Sequence, residues 1–528
     1  MSTAVAAAFP APRAEAGASK WAIAVAVSLG ALLEIIDTSI VNVALPQMQA
    51  TLGATLTQVS WVITSYAIAN VIILPLAAFL GDRFGKKRYF LFSLFGFTVA
   101  SVLCGLSTSL PMLVFARLLQ GLTGGGLLAK AQAILFETFP PEEQAVAQGF
   151  FGAIVIAGPA IGPTLGGYLV TNHAWQWIFF VNVPLGVLAF AMVAAVLPED
   201  ELDSAPKKAI DWLGIALLSI GLGSLQTFLE EGNAHEWFES TFVTSMAAVA
   251  VVGLVVFVVR ELRSETPLVG LRVLRHRSLA AGTMLAVVVG MSLYGALFAI
   301  PIFAQTQLHY TSEQTGWLLF PGALASAVSM QLVSRLVRKY DSRKVLFGGT
   351  LVLLGALVWL GSVLTPLAGE DDLYFPLLLR AFGTVLMFLP LQLASLGSVP
   401  RHEIAAATGL FSLMRQLGGS VGVALLATLL DRRIAYHRAM LVEHLVPNDP
   451  HVVERVAGLT ARMSAQGFPP EIAHQKALAL LDATVGSQAA VLAFADTFYA
   501  VGALVLVTIP LVFLLEKPTI GAPVGGGH

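Results

Sequence analysis

The sequence predicts an all-α polytopic membrane protein: two six-helix bundles with two further transmembrane helices inserted between them. Three observations carry this. Of the 528 residues, 56% are hydrophobic and 12% charged, about half the share of charge in a soluble domain. Apolar runs long enough to cross a bilayer recur from Trp21 to Leu515 with only short polar breaks. Two pairs of segments also resemble each other at a shared offset of eight such runs. The composition excludes a disordered chain and a collagen, and the single cysteine, Cys104, allows no internal disulfide. A net charge of −2 leaves no basic domain for nucleic acid.

Each element follows from the need for about 20 mainly apolar residues per crossing. Residues 1–19 are an Ala-rich tail with no apolar core of a cleaved signal, and they are expected to be cytoplasmic. Spans at 21–45, 57–80, 89–107, 111–134, 145–170 and 175–197 make an N-terminal bundle over 20–200. Two linker spans, 210–229 and 240–260, lie within 201–265. The last six, at 279–304, 313–334, 344–365, 373–396, 403–430 and 490–515, make a C-terminal bundle over 266–515, before a tail at 516–528.

Lys and Arg orient the chain. With the N-terminus inside, the inner segments hold Arg13, Lys20, four residues in 83–88, Lys207, Lys208, five in 260–277, five in 335–344, Arg401 and Lys517. The six short outer loops hold none, so both termini are expected in the cytoplasm. Segment 431–489 is long, polar and outer, with Arg432, Arg433, Arg438 and four histidines. Pro450–Met463 and Pro470–Leu481 have helical spacing and predict short amphipathic helices, on either a solvated loop or a docking surface. The histidines do not have metal-ligand spacing.

The internal likeness is between Gly81–Arg88 and Arg338–Lys344, and between Arg117-Leu-Leu-Gln120-Gly121 and Arg380-Ala-Phe-Gly383. Six spans, a two-span insert and six more give the common offset, and repeated bundles around a central site are a transporter architecture.

On these residues the chain resembles the major facilitator superfamily, and within it the fourteen-helix drug:proton antiporters of the EmrB/QacA type. The resemblance is carried by Leu33–Pro46, with Glu34, Asp37 and Asn42, by Gly81–Arg88 and by Arg117–Gly121. Gly158-Pro159-Ala-Ile-Gly162-Pro163-Thr-Leu-Gly166-Gly167 and Trp175–Gly186 complete it. The long outer segment is more like EmrB. The resemblance implies proton-coupled export of hydrophobic drug-like compounds from the bacterial inner membrane, and hence antibiotic resistance. It also implies a periplasmic adaptor of the EmrA-like membrane-fusion type and a TolC-like outer-membrane channel. A stand-alone QacA-type exporter of lipophilic cations is the alternative.

The motifs divide the roles. The Gly81–Arg88 cluster fixes topology, and the resemblance implies that Asp82, Arg83, Gly85 and Lys86 also gate the inner side. Gly158, Pro159, Gly162, Pro163, Gly166 and Gly167 remove bulk and backbone donors from one helix. That pattern is either a packing face or, as the resemblance implies, the antiporter seal.

Charges within spans are costly and so are functional candidates. Asp37 lies roughly 13 Å and Arg117 roughly 9 Å below the outer ends of their helices, and since the resemblance implies that the first and fourth helices adjoin, the two can meet as a coupling pair. Glu34, near the midplane with no evident partner, is expected to be the better proton carrier. By resemblance the Asp37 position is the coupling acid, so both remain candidates, as does a static ion pair. Arg380 and Asp496 fall at similar outer-half depths, Arg415 lies mid-membrane, and Lys130, near the inner end, is expected to snorkel. Asn42, Trp61, Tyr66, Gln120 and Gln132 are candidates for substrate contact. The mid-membrane arginines hint at anionic substrates.

An enzyme or channel fits less well. Gly121–Gly126 is glycine-rich but lies inside a span, without a preceding strand or a following Lys-Ser/Thr. There is no Walker sequence for ATP drive, no metal-ligand spacing and no cofactor motif.

Overall fold

The computed structural model describes residues 19–199, 210–264, 267–446 and 448–515, except for the side chains of residues 56, 57, 156, 157, 159, 160, 296, 297 and 312. Arg13, Lys207, Lys208 and Lys517 lie outside the described residues, as do both tails apart from Ser19. Among the described residues the chain is helical and has no strand.

The N-terminal bundle comprises α1 (Lys20–Leu52), α2 (Leu56–Phe84) and α3 (Lys86–Gly105), then a fourth span in two pieces, α4 (Leu110–Gly124) and α5 (Leu127–Thr138). It ends with α6 (Pro141–Asn172) and a sixth span, also in two pieces, α7 (Trp177–Phe180) and α8 (Asn182–Val196). The inserted pair is α9 (Trp212–Glu231) and α10 (Thr241–Arg263). The C-terminal bundle follows as α11 (Arg277–Thr306), α12 (Ser312–Lys339), α13 (Ser342–Val363), α14 (Glu370–Leu396) and α15 (Ile404–Glu443). After it come α16 (Pro450–Ala465), α17 (Pro470–Leu506) and the short α18 (Thr508–Val512). Thirteen segments among the described residues are long and apolar enough to cross a bilayer. Helix α6, part of whose side chains fall outside the description, runs 32 residues and takes the fifth place in the series.

Local chemistry sets several helix starts. The Gln58 N–H donates to Thr55 Oγ1 at 3.2 Å while the Thr55 N–H donates to Gln58 Oε1 at 2.9 Å. Thr311 and Gln314 repeat this reciprocal cap at the start of α12, at 3.2 and 2.8 Å. Both caps are followed three residues later by tryptophan, Trp61 and Trp317. The second span of each bundle therefore opens with the same Thr-x-x-Gln-x-x-Trp device, a sign of the internal repeat that the sequence reading passed over. Asp211 caps α9 by accepting from the Gly214 N–H at 2.9 Å. It also accepts two bonds from Arg260 of α10, each at 2.9 Å, which tie the inserted helices together. Arg260 beside it, then the Gly214 N–H, hold the Asp211 carboxyl below its ordinary range.

The bundles meet along two seams, α6 against α12 and α2 against α15, and α9 leans on α2 and α15. Gln392 of α14 also donates to Gln148 of α6 at 2.8 Å. The first turns of α3, with Lys86–Arg88, and of α13, with Arg343–Lys344, share one end of the molecule, the basic end, with the start of α1.

At the opposite end the structure corrects the expected 431–489 loop. Helix α15 continues to Glu443, and α17 begins at Pro470 and runs 37 residues into the last span. The segment is therefore a helical protrusion in which α16 packs on α17. Pro450–Met463 falls within α16, but Pro470–Leu481 is the start of a membrane helix and no separate short one. Hydropathy marks where the bilayer ends. A helix continues until glycine, proline or a cap stops it, and Asp431–Glu443 contains neither glycine nor proline.

A candidate coupling site in the N-terminal bundle

Asp37 and Arg117 meet in the interior, 0% and 1% exposed. Arg117 Nη1 donates to Asp37 Oδ2 at 2.6 Å and to Gln120 Oε1 at 2.6 Å, and its Nε donates to the Val62 carbonyl at 3.0 Å. The guanidinium also lies 4.2 Å from the Tyr66 ring centroid. The other carboxylate oxygen of Asp37 accepts from Gln120 Nε2 at 2.9 Å and from Asn182 Nδ2 at 2.8 Å. Gln120 Nε2 in turn donates to Ser101 Oγ at 2.7 Å. Helices α1, α2, α3, α4 and α8 thus converge on one ion pair. A buried pair survives only when its remaining lone pairs and protons are met in this way.

Glu34 is one turn away on α1 and 6% exposed. The expectation that it lacks a partner is corrected here. Asn70 Nδ2 donates to its Oε1 at 2.7 Å and the Leu128 backbone N–H donates to its Oε2 at 2.8 Å. The second bond exists because the fourth span breaks. Gly126 takes φ 78°, the left-handed region that side chains avoid, and α5 restarts after it with free N–H groups. The glycine-rich run read as uninformative therefore builds a carboxylate cradle. Glu34 and Asp37 differ in kind: Asp37 faces a cation, whereas Glu34 is held by an amide and a backbone N–H.

Lys130 does not snorkel. Its Nζ donates to Ser93 Oγ at 2.6 Å and stands 3.9 Å from the Tyr89 ring centroid, because a hydroxyl and a ring face are within its reach inside the bundle.

At the basic end Lys86 pairs with Glu137 at 2.7 Å and Lys87 with Glu199 at 3.2 Å, both within the N-terminal bundle. Asp82 is exposed, makes no ion pair among the described residues, and borders a small cavity closed by Ala405 and Gly409 of α15. Arg83 is half-buried, and Gly85 takes φ 92° at the turn. On α6, Gly158, Gly162 and Gly166 present one face to α1, where a Cβ would collide with Ile35, Ser39 and Ile40. Gly167 is buried and Pro163 half-buried, while the Pro159 side chain lies outside the description. On the other side of this helix Thr164 packs on Gly316 of α12.

A family model of the Major Facilitator Superfamily matches residues 27–423. The chain belongs to the Major Facilitator Superfamily. Within the superfamily it is of the EmrB type. It is 31% identical over 511 residues to the Multidrug export protein EmrB of Escherichia coli strain K12, covering 97% of this chain and 98% of that one. To the Fatty acid resistance protein FarB of Neisseria gonorrhoeae it is 32% identical over 518 residues, covering 98% and 99%. To the Colistin resistance protein EmrB of Acinetobacter baumannii it is 30% identical over 497 residues, covering 94% and 96%. Among solved structures, the human organic anion transporter MFSD10 superposes with TM-score 0.56 at 15% identity over 92% of this chain and 100% of that one. A double-tryptophan XylE mutant gives 0.58 at 12% over 94% and 96%. At those identities the likeness is one of fold.

The remaining candidates of this superfamily transporter scatter. Tyr66 and Gln120 belong to the Asp37–Arg117 network, and neither stands apart as a cavity contact. Asn42 is exposed and bonded to the Thr38 carbonyl, Trp61 is half-buried, and Gln132 is buried with Nε2 unpartnered. In the C-terminal bundle Arg415 Nη1 donates to Tyr294 Oη at 3.0 Å. Arg380, 8% exposed, has its Nε unpartnered, and neither arginine meets a carboxylate among the described residues. Asp496 does not serve Arg380. It pairs with Arg433, and with His437 at 2.7 Å, at the base of the protrusion, because extended α15 brings those residues to it. Sequence reasoning missed Ser101, Asn70 and Leu128. Asn182 lay in a quoted motif without a role.

Proposed function

We propose that this transporter is a proton-driven exporter of hydrophobic drug-like compounds from the inner membrane, with Glu34 as the proton carrier and Asp37–Arg117 as the fixed element beside it. The observation that carries this is the contrast between the two acids. Protonating Asp37 would strand Arg117, a buried cation without a counter-charge. Among the described residues Glu34 accepts hydrogen bonds only from neutral donors, so it can gain or lose a proton without breaking an ion pair. Both termini are cytoplasmic in this reading, and the bundles at 20–200 and 266–515 rock about the α2–α15 and α6–α12 seams. Asp82, Arg83, Gly85 and Lys86 gate the basic end, and the glycine face of α6 seals the path against α1. The names of the relatives, for multidrug export, fatty acid resistance and colistin resistance, support the direction and breadth of transport.

The protrusion formed by α15, α16 and α17 gives an EmrA-like periplasmic adaptor, leading to a TolC-like channel, a rigid surface to meet. It supports a tripartite pump over the stand-alone QacA-type reading. Arg380 and Arg415, which form no ion pair among the described residues, weigh against lipophilic cations as the main substrates and favour compounds with an acidic group. The test is reconstitution in liposomes under a pH gradient, following a fluorescent lipophilic acid and internal pH together. Opposed fluxes that vanish in Glu34→Gln are expected. Drug movement indifferent to the gradient refutes coupling, and full coupling in Glu34→Gln refutes the carrier assignment.

A further inference from the structure

Lys130 is a half-buried cation inside the bundle that the coupling reading leaves unused. Among the described residues no carboxylate pairs with it, and its ammonium rests on Ser93 and on the face of Tyr89. Its side chain bends back toward the helix break, with Cε 3.8 Å from where a Cβ on Gly126 would stand. Glu34 lies on one side, bonded to the N–H of Leu128, two residues before Lys130 on α5. On the other side lies the cavity toward the basic end, whose lining includes Lys130, Tyr89, Asp82, Lys86 and Glu137, with Ile134, alanines and glycines elsewhere and room for about two waters. The Tyr89 hydroxyl is buried there and makes no hydrogen bond of ordinary geometry among the described residues. The cavity's far wall, Ala405 and Gly409, belongs to the other bundle, so its width changes when the bundles move.

We propose that Lys130 is the relay through which Glu34 exchanges its proton with the basic end of the protein, by way of this cavity. The inference rests on the proton-carrier reading of Glu34. The neutral Lys130 amine takes the proton of the Glu34 carboxylic acid, leaving a carboxylate and an ammonium. The ammonium then gives a proton to cavity water beside Asp82 and Glu137, which regenerates the amine. One proton leaves Glu34 and one hydronium appears at the basic end. Lysine suits this work because its stem is flexible and its amine can exist without the proton, which a guanidinium effectively cannot. The charged and titratable groups facing the relay are Glu34 from α1, Asp82 from α2, Lys86 and Tyr89 from α3, Glu137 on α5 itself, and Arg415 from α15.

The test compares substrate-driven proton flux against pH in proteoliposomes of the full chain and of K130M, K130R and K130H. K130M and K130R are expected to lose at least about tenfold of the coupled flux. K130H is expected to recover most of it, with the pH profile displaced downward by about one unit or more, as an imidazole titrates far below an amine. Wild-type flux in K130R would overturn the relay, since only a charge would then be needed. So would undiminished flux in K130M, or an unshifted profile in K130H. K130R and K130H both keep an N–H donor for Ser93, so their comparison decides even where K130M fails to fold. Transport by the wild type without proton flux would instead sink the Glu34 reading, a result distinct from coupled wild type with indifferent variants.

Discussion

Replacing Asp37 by asparagine keeps the outline of the side chain and removes the negative charge that faces Arg117. Arg117 is 1% exposed, and Asp37 is the only carboxylate paired with it among the described residues. The new amide nitrogen must also point either at Arg117 or at the donors of Gln120 and Asn182, since all three now donate to this carboxylate. Losing one partner of a buried ion pair costs about 3–5 kcal/mol, and a displaced hydrogen bond adds about 1–3 kcal/mol. At about 2–4 °C per kcal/mol for a unit the size of the N-terminal bundle, the ion-pair term alone lowers the melting temperature by roughly 6–20 °C.

Size-exclusion chromatography of detergent-solubilised protein after a heating series measures this directly. Glu34→Gln is the internal comparison. An amide there still offers one acceptor, to Asn70 or Leu128, but turns its nitrogen toward the other donor, so the expected loss is the about 1–3 kcal/mol of one displaced hydrogen bond with no ion pair broken, although coupled transport is expected to vanish. The double variant Asp37→Asn/Arg117→Met should regain much of the stability, because the stranded guanidinium is gone. Asp37→Asn melting within about 2 °C of the wild type, or Glu34→Gln proving the less stable of the two, refutes the division of labour between these acids.

Four further outcomes are expected. Gly162→Ala places a methyl against Ser39 and the backbone of Ile40, so overpacking of about 1–3 kcal/mol should lower the melting temperature and slow export. Gly348→Ala, where nothing lies within 4 Å, should match the wild type in both assays. The Asp211–Arg260 tie gives the inserted helices an acid-labile anchor. A carboxyl held low on folding stabilises fully above its unfolded value, near 3.9, and loses that contribution as pH falls through the lower folded value. Asp211→Asn should therefore flatten the dependence of melting temperature on pH below about 4. Asp496→Asn releases Arg433 and His437 at the base of the protrusion. Faster tryptic cleavage at Arg438 and Arg455 is expected, and an unchanged digestion rate would place the rigidity of the protrusion in α16 and α17 alone.

What the sequence could and could not tell follows from what each signal measures. Apolar length counts crossings, so the series of spans and the two-bundle plan were legible, and similar depth, together with the neighbouring helices that the family resemblance implies, was enough to bring Asp37 to Arg117. Depth says nothing about azimuth or neutral partners, and Asn70, Ser101 and Asn182 look like any polar residue in a helix until three-dimensional packing converges them. Asp496 and Arg380 show the opposite failure: equal depth without contact, because Arg433 and His437 are carried to Asp496 by a helix that outruns the membrane. The Gly124–Gly126 run was visible but unreadable. Its product is a backbone N–H at Leu128, and no residue type announces a free N–H. Glu34 therefore appeared unpartnered in the sequence, and its partner proves to be backbone freed by a break. That distinction bears on function, since a backbone N–H cannot titrate or leave. It can hold a carboxyl in place through both protonation states while the ion pair one turn away stays shut.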